Sequence, residues 1–340
     1  MNAFSKDARN AVELAISNTP PAKAEAKPLS LVAFSCAELL AMSLPEREVI
    51  LTPWLPEKGL TMVYGPRGIG KTHLLMGCAW AIASGGKFLA WKASKPRKVL
   101  IIDGEMPGQV LQERLATIAR DAQHEPSPGF LKFLPMDMQE RGLDLANEAD
   151  QIALEIVIDD ADVIIVDNIS TLSQGGRENE GESWLPVQQW ALLQRRAGRS
   201  VIFVHHAGKG GQQRGTSRRE DVLDTVIALR APQDHEAENG ARFEVHFEKN
   251  RGFYGDDAKP FEASLTPTGW TVRDIADADM AKVIKLTLEG LTVREIEDET
   301  GIKKSRVSRI QNKAREAGLL PNGNVNSDAK LINHPGTSHE

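Results

Sequence analysis

Cysteine is almost missing from this chain: among 340 residues only Cys36 and Cys78 occur. Two thiols 42 positions apart form neither a disulfide framework nor a zinc site, and a reduced compartment suits them. No run approaches the ~18 consecutive apolar residues of a membrane span. The N-terminus lacks a basic-then-apolar signal, so the expectation is a cytoplasmic protein with no membrane partner. Positive charge is not in excess either. A formal charge of −6 excludes a protein that coats nucleic acid indiscriminately, though not a local basic site. What is present is a 41% apolar fraction. That suffices for one α/β domain of about 200 residues with a small appended domain.

Residues 1–28 are rich in Ala, Lys, Glu and Pro and read as a disordered leader, with a transient helix over Ala8–Ile16. A lead-in over 29–58 follows. In it Ser35-Cys36-Ala37-Glu38 is a capping box that opens a short helix ending before Pro45. Short β-branched runs at Leu60–Tyr64, Val99–Asp103, Val163–Asp167 and Val201–His205 have the pattern of fully covered parallel strands. Helical stretches at Lys71–Ser84, Gly108–Ala122, Asn147–Asp159 and Trp184–Ala197 separate them. This alternation predicts a mainly parallel, doubly wound sheet over 59–273. Thr225–Leu229 and Phe243–Glu248 read as a hairpin-like extension at one edge, with Phe261–Thr271 as a further strand. From Met280 to Leu320 the pattern is helical, and 279–320 is expected to be a small all-α domain before a frayed tail, 321–340.

Gly65-Pro66-Arg67-Gly68-Ile69-Gly70-Lys71-Thr72 carries the strongest chemistry. Glycines let backbone N–H groups close on phosphates. Lys71 reaches the β- and γ-phosphates, Thr72 holds Mg²⁺, and the helix that starts here offers its positive end. An apolar strand before and a helix after are the context this loop requires; His73 is the next residue of the same site. Asp167, at the end of a buried strand, is placed to hold the Mg²⁺ shell; its alternative role is a helix cap. Asp103 and Glu105 both follow a strand and compete to polarise an attacking water. One of His205 and His206 faces the site, because adjacent strand side chains point to opposite faces. His205 is the candidate for a γ-phosphate contact, and nothing nearby has metal-ligand spacing. Lys249 and Arg251, at i and i+2, share a face. They point to a phosphate here, to one in a neighbouring subunit, or simply to solvent.

Taken together, these residues make the chain resemble the RecA-like ATPases, and among them the hexameric helicases of the DnaB and plasmid RepA kind, over about residues 45–272. The resemblance implies ATP and Mg²⁺ as cofactors, and Glu105 rather than Asp103 as the catalytic carboxylate. It makes Lys249 and Arg251 the pair that reaches a neighbour's γ-phosphate, and hence implies a homo-oligomer, a hexameric ring. The run His205-His206-Ala207-Gly208-Lys209 and the later Arg214-Gly215-Thr216-Ser217 are similar to plasmid RepA helicases. The loop Gly208–Glu220, with Lys209, Arg214, Arg218 and Arg219, then falls where RecA-like proteins place a loop that contacts single-stranded DNA. The other channel loop, Ser173–Ser183, departs from this pattern: Glu178, Glu180 and Glu182 stand against Arg177.

Thr292–Gly301 and Lys303–Gly318 resemble the two helices of a helix-turn-helix, with Val293, Ile296 and Thr300 facing a core and Gly301 at the turn. Lys303, Lys304, Arg306, Arg309, Lys313 and Arg315 lie in a stretch without an acidic residue. Of these, Lys303, Lys304, Arg306 and Arg309 are the candidates for duplex DNA contacts; a basic protein-interaction face is the alternative. Three functions remain open: a DNA helicase of a plasmid, phage or integrated element, a recombination or repair mediator without unwinding, and an ATP-controlled DNA-binding regulator.

Overall fold

The computed structural model of the chain describes residues 31–173, 181–208, 221–232 and 240–321. The leader, the tail beyond Pro321, most of Ser173–Ser183 and the segment with Lys209, Arg214 and Arg218 lie outside the described residues. Two units divide at Glu46. In the first, helix α1 (Cys36–Ala41) opens on the expected capping box: the Ser35 hydroxyl accepts from the Glu38 N–H, and the Glu38 carboxylate accepts from the Ser35 N–H.

In the second unit, β1 (Val49–Thr52) and β2 (Leu55–Pro56) lead into β3 (Leu60–Gly65) and the helix α2 (Lys71–Ser84). Short strands β4 (Lys87–Phe88) and β5 (Trp91–Ala93) precede β6 (Val99–Asp103), α3 (Gly108–Asp121) and β7 (Leu131–Pro135). Next come α4 (Glu148–Ile158), β8 (Val163–Asp167), the four-residue α5 (Ile169–Leu172), α6 (Gly181–Arg196) and β9 (Ser200–His206). The chain then runs through β10 (Thr225–Arg230), β11 (Arg242–Asn250), β12 (Phe261–Thr266) and β13 (Gly269–Asp274). It ends in helices α7 (Ile275–Leu288), α8 (Val293–Thr300) and α9 (Lys304–Glu316).

The main sheet has the order β13-β12-β11-β10-β3-β9-β8-β6-β7. From β10 to β7 every pairing is parallel; β11, β12 and β13 are antiparallel. This is the predicted α/β core with a mainly parallel sheet. β3, β6, β8 and β9 are buried at every position, which is why their sequences are continuous apolar runs. Alternate residues feed two cores. Val63, Ile202 and Val204 pack with α2, while Met62, Val201 and Phe203 pack with Trp184 and Trp190 of α6.

Three expectations need correction. Phe261–Thr271 is not one strand but a hairpin, turning at Pro267 and Thr268. β7 and the small sheet β2-β1-β5-β4 were not expected. The C-terminal helices begin at Ile275, not at 279: the Asp274 side chain, at the end of β13, accepts from the Ala276 N–H at 2.7 Å and caps α7 directly. Their own core is small, centred on Val283, Leu286, Ile296 and Val307. Gly301 closes α8 with φ 62°, a left-handed angle that suits glycine. Among the described residues no helix is long and apolar enough to cross a membrane.

Candidate functional site

The carboxyl ends of β3, β6, β8 and β9 open onto one cleft of about 910 Å³. Its floor is the loop from Pro66 to Thr72, and Gly68 (φ 75°) and Gly70 (φ 107°) supply the left-handed turns that aim its N–H groups inward. Arg67, Ile69 and His73 line it as expected. Gly65 is the last residue of β3; its carbonyl accepts from the Lys71 ammonium at 3.0 Å, and the Pro66 carbonyl does so at 2.8 Å. Burial lowers the Lys71 ammonium to about 8, against the opposing pull of Asp167 and Glu105. It remains mostly charged near neutrality and ready for an anion.

The Thr72 hydroxyl donates to Asp167 Oδ2 at 2.7 Å. A hydroxyl, a carboxylate and a phosphate-binding loop converge here, and Asp103 Oδ2 is buried nearby without a hydrogen-bond partner. This oxygen-rich set fits Mg²⁺, which is held by one or two side chains together with phosphates and water. Among the described residues there is no larger cluster that would suit another metal. Thr72 and Asp167 would hold the ion there, and it would supply charge neutralisation to a bound phosphate chain.

Burial raises the Asp167 carboxyl to about 7; the Thr72 hydrogen bond opposes this, and the neighbouring Asp103 and Glu105 add to it. In the folded, metal-free chain the protonated form is therefore favoured below about pH 7. Its stabilising contribution is complete below the ordinary carboxylate range, near 4, and is lost as pH rises through about 7. Asp167→Asn should thus stabilise the metal-free protein at pH 8 by about 1–3 kcal/mol, several degrees in Tm, with little gain at pH 4. Melting curves in a chelator check this; an equal gain at both values would refute it.

The structure separates Asp103 from Glu105. One oxygen of Asp103 accepts the N–H groups of Glu105 (2.9 Å) and Met106 (2.6 Å), so this carboxylate builds the turn. Glu105 instead enters the cleft. Burial alone would raise its pKa, but hydrogen bonds from His206 and Asn168 outweigh it and hold it below the usual value.

His206, not His205, lines the cleft, and this corrects the expectation. Along β9 the side chains of Ile202, Val204 and His206 share the face covered by α2, whereas His205 lies with Val201 and Phe203 on the other. His206 Nε2 stands 3.1 Å from Glu105 Oε1 and 3.2 Å from Asn168 Nδ2. Arg114, from the inward side of α3, also lines the cleft. It was missed because a single arginine on an amphipathic helix carries no sequence signal.

Lys249 and Arg251 are not at this cleft. Asn250 pairs with Thr225, and Thr225 with Thr61, near the start of β3. The phosphate loop leaves the other end of that strand, four residues or about 13 Å away. Arg251 is held at this far end: its N–H donates to the Asp224 carbonyl at 3.0 Å, and its guanidinium contacts the Asp221 carbonyl at 3.5 Å. Asp224 itself is clamped by Arg47 and Arg195.

On α9, Val307, Gln311 and Ala314 face inward, and Lys303, Lys304, Arg306 and Arg309 are exposed. Arg306 is ion-paired with Asp279 at 2.6 Å and Lys304 with Glu297 at 3.4 Å.

Curated proteins offer no match to the chain. Among solved structures it is similar to a KaiC-like protein from the hyperthermophilic archaeon Pyrococcus horikoshii OT3. Identity is 15% and the TM-score 0.47, over 67% of this chain and 98% of that one. The family model described as AAA domain, AAA_25, matches residues 25–212, more than half of the sequence. With a phosphate loop, a Thr72–Asp167 pair and Glu105 gathered in one cleft, the chain belongs to the AAA domain family of P-loop ATPases.

Proposed function

We propose that the chain is an oligomeric, DNA-associated ATPase, and specifically a DNA helicase of the plasmid RepA kind. In this reading Glu105 orients the attacking water, His206 senses the γ-phosphate through Glu105, and Lys71 and Thr72 bind ATP and Mg²⁺. The observation that carries it is the position of Lys249 and Arg251. They cannot serve their own cleft, yet they stand at the far end of the sheet, where the exposed Arg251 is tied to the backbone carbonyls of Asp221 and Asp224. A neighbour's cleft docked on that end would receive them, and repetition of such a head-to-tail contact generates a ring.

DNA contact is supported by the exposed basic side of α9 for duplex, and by Lys209, Arg214 and Arg218 for single strands. The test is steady-state ATP hydrolysis at fixed low salt without DNA, with single strands and with duplex. A helicase should show strong stimulation by single strands and strand separation that requires ATP. Stimulation without separation would indicate a mediator. No stimulation, with tight duplex binding, would indicate a regulator.

The α9 contribution is best tested at Lys303 and Arg309, since neither is ion-paired among the described residues, whereas Arg306→Glu would set two carboxylates together. Lys303→Glu with Arg309→Glu should weaken duplex binding by roughly tenfold or more at low salt and flatten its salt dependence. Unchanged affinity and slope would remove α9 from the DNA interface.

A further inference from the structure

The turn from β11 to β12 presents a bare side chain: Tyr254 is 86% exposed. Its backing is fixed. Phe253 is buried, edge-to-face with Phe247 at a centroid distance of 5.0 Å, and its carbonyl accepts from the Asn250 amide at 2.7 Å. Gly252 (φ 96°) and Gly255 (φ 69°) take left-handed angles on either side. Such a preformed turn loses little freedom on binding, and tyrosine and arginine are enriched among the anchors of protein interfaces. We infer that Tyr254 of one copy inserts into an aromatic cavity of the next, and so anchors the head-to-tail contact that carries Arg251 to the neighbouring phosphate cleft. The inference rests on the proposed assembly and names the surface that builds it.

The receiving cavity, of about 420 Å³, lies between α2, α3 and the turn from β12 to β13, with Trp80, Phe88 and Trp270 in its wall. It has room for one aromatic side chain, and its rings leave a face for it. Trp270 meets Phe88 at 82° and Phe243 at 53°, so neither contact is a parallel stack. Glu113 and Asp121 stand on the α3 side, where a tyrosine hydroxyl can donate. Tyr254 does not line the cavity of its own chain. The six residues of β12, about 20 Å, separate its turn from the Thr268–Trp270 wall.

What selects a second copy as the occupant is the match in order between turn and surface. On one side the cavity shares His73 and Arg114 with the phosphate cleft. On the other it shares Trp80 and Lys87 with a hollow of about 530 Å³ that Lys92 also lines. Lys87 and Lys92 stand directly opposite each other on β4 and β5, a like-charge pair that repels, and neither is ion-paired among the described residues. The turn offers the complements in the same sequence: Arg251 for the cleft, Tyr254 for the cavity and Asp257 for the two lysines. Asp256 is held by Lys259 at 2.8 Å, whereas Asp257 is exposed and has no ion-pair partner among the described residues. Successive members of this series are three positions apart, about 10 Å at most, which suits receptors that share walls.

The experiment uses the full chain with Mg²⁺ and a non-hydrolysable ATP analogue. Sedimentation velocity of wild type should show assembly. Tyr254→Ala should weaken it by roughly tenfold or more, the loss expected of an interface anchor, and Tyr254→Phe should keep most of it. Crosslinking reads the contact separately. In a Cys36→Ser background, which leaves only the buried Cys78, one chain carries Asp256→Cys beside Tyr254 and another carries Thr117→Cys on the exposed rim of the cavity. A short bismaleimide should join the two into a covalent dimer when they are mixed, and adding Tyr254→Ala to the first chain should abolish that dimer. If wild type assembles but the mixture gives no crosslink, or Tyr254→Ala leaves assembly unchanged, the inference is overturned while the arginine acting in trans stands on its own test. If wild type stays monomeric at every concentration, the proposed assembly fails as well.

Discussion

Arg251→Ala should reduce ATP turnover by about three to five orders of magnitude, the range expected of an arginine supplied to a neighbour's transferring phosphate, while nucleotide affinity stays near wild type. The loss should be repairable. A subunit carrying Arg251→Ala retains a complete phosphate loop and Glu105. A subunit carrying Glu105→Gln retains Arg251. Where the two meet in one order, a whole site is rebuilt, so a mixture should hydrolyse ATP faster than either variant alone, with a maximum at intermediate ratio. The structure makes this a sharp test, because Arg251 is anchored at the far end of β3 from its own loop. Rescue inside one subunit has no geometric route. Absence of rescue at every ratio would return Arg251 to the status of an ordinary basic turn residue. The turn itself should survive the substitution, since Arg251 is exposed and its backbone N–H, not its side chain, bonds Asp224.

Lys71→Ala should cost at least two to three orders of magnitude in hydrolysis, as expected when a preorganised charge is removed from a phosphoryl-transfer site, with the fold retained. Retention follows from the local bonding. The Gly65 carbonyl loses the ammonium but keeps the Ala207 N–H at 3.0 Å. The cleft loses a cation that burial already disfavours. Asp167 loses its nearby positive charge and is pushed further toward its protonated form, while Glu105 loses the same charge but keeps its hydrogen bonds from His206 and Asn168. Unchanged circular dichroism with abolished turnover is the expected pair of results; normal turnover would dismantle the site.

The core of this site was legible in the sequence because the strands that frame it are buried on both faces. Val99–Asp103 and Val163–Asp167 occur with their predicted bounds, for a covered parallel strand tolerates almost nothing polar until its end. β7 escaped notice because it closes the sheet at an edge, where Lys132 sits exposed inside Leu131–Pro135. The small sheet escaped for a different reason: strands of two to four residues are too short to show a period. Glu105 and Asp103 could not be distinguished by composition, since both are carboxylates in one turn; what separates them is which one holds the backbone. The histidine pair was decidable in principle. Counting parity along β9 from Ile202 and Val204, which pack with α2, selects His206, but that requires knowing which face α2 covers. The C-terminal boundary was placed late because Asp274–Asp279 is acidic and looks like a linker, whereas Asp274 is a cap.

That cap has a mechanical meaning. No residue intervenes between the last strand of the sheet and the first turn of α7. The basic helix is therefore not a tethered passenger whose reach is set by a floppy segment, but an outrigger phased to the sheet edge. A single residue inserted into α7 would turn everything beyond it by about 100°, and carry the whole basic side of α9 to a new bearing without touching any of its side chains.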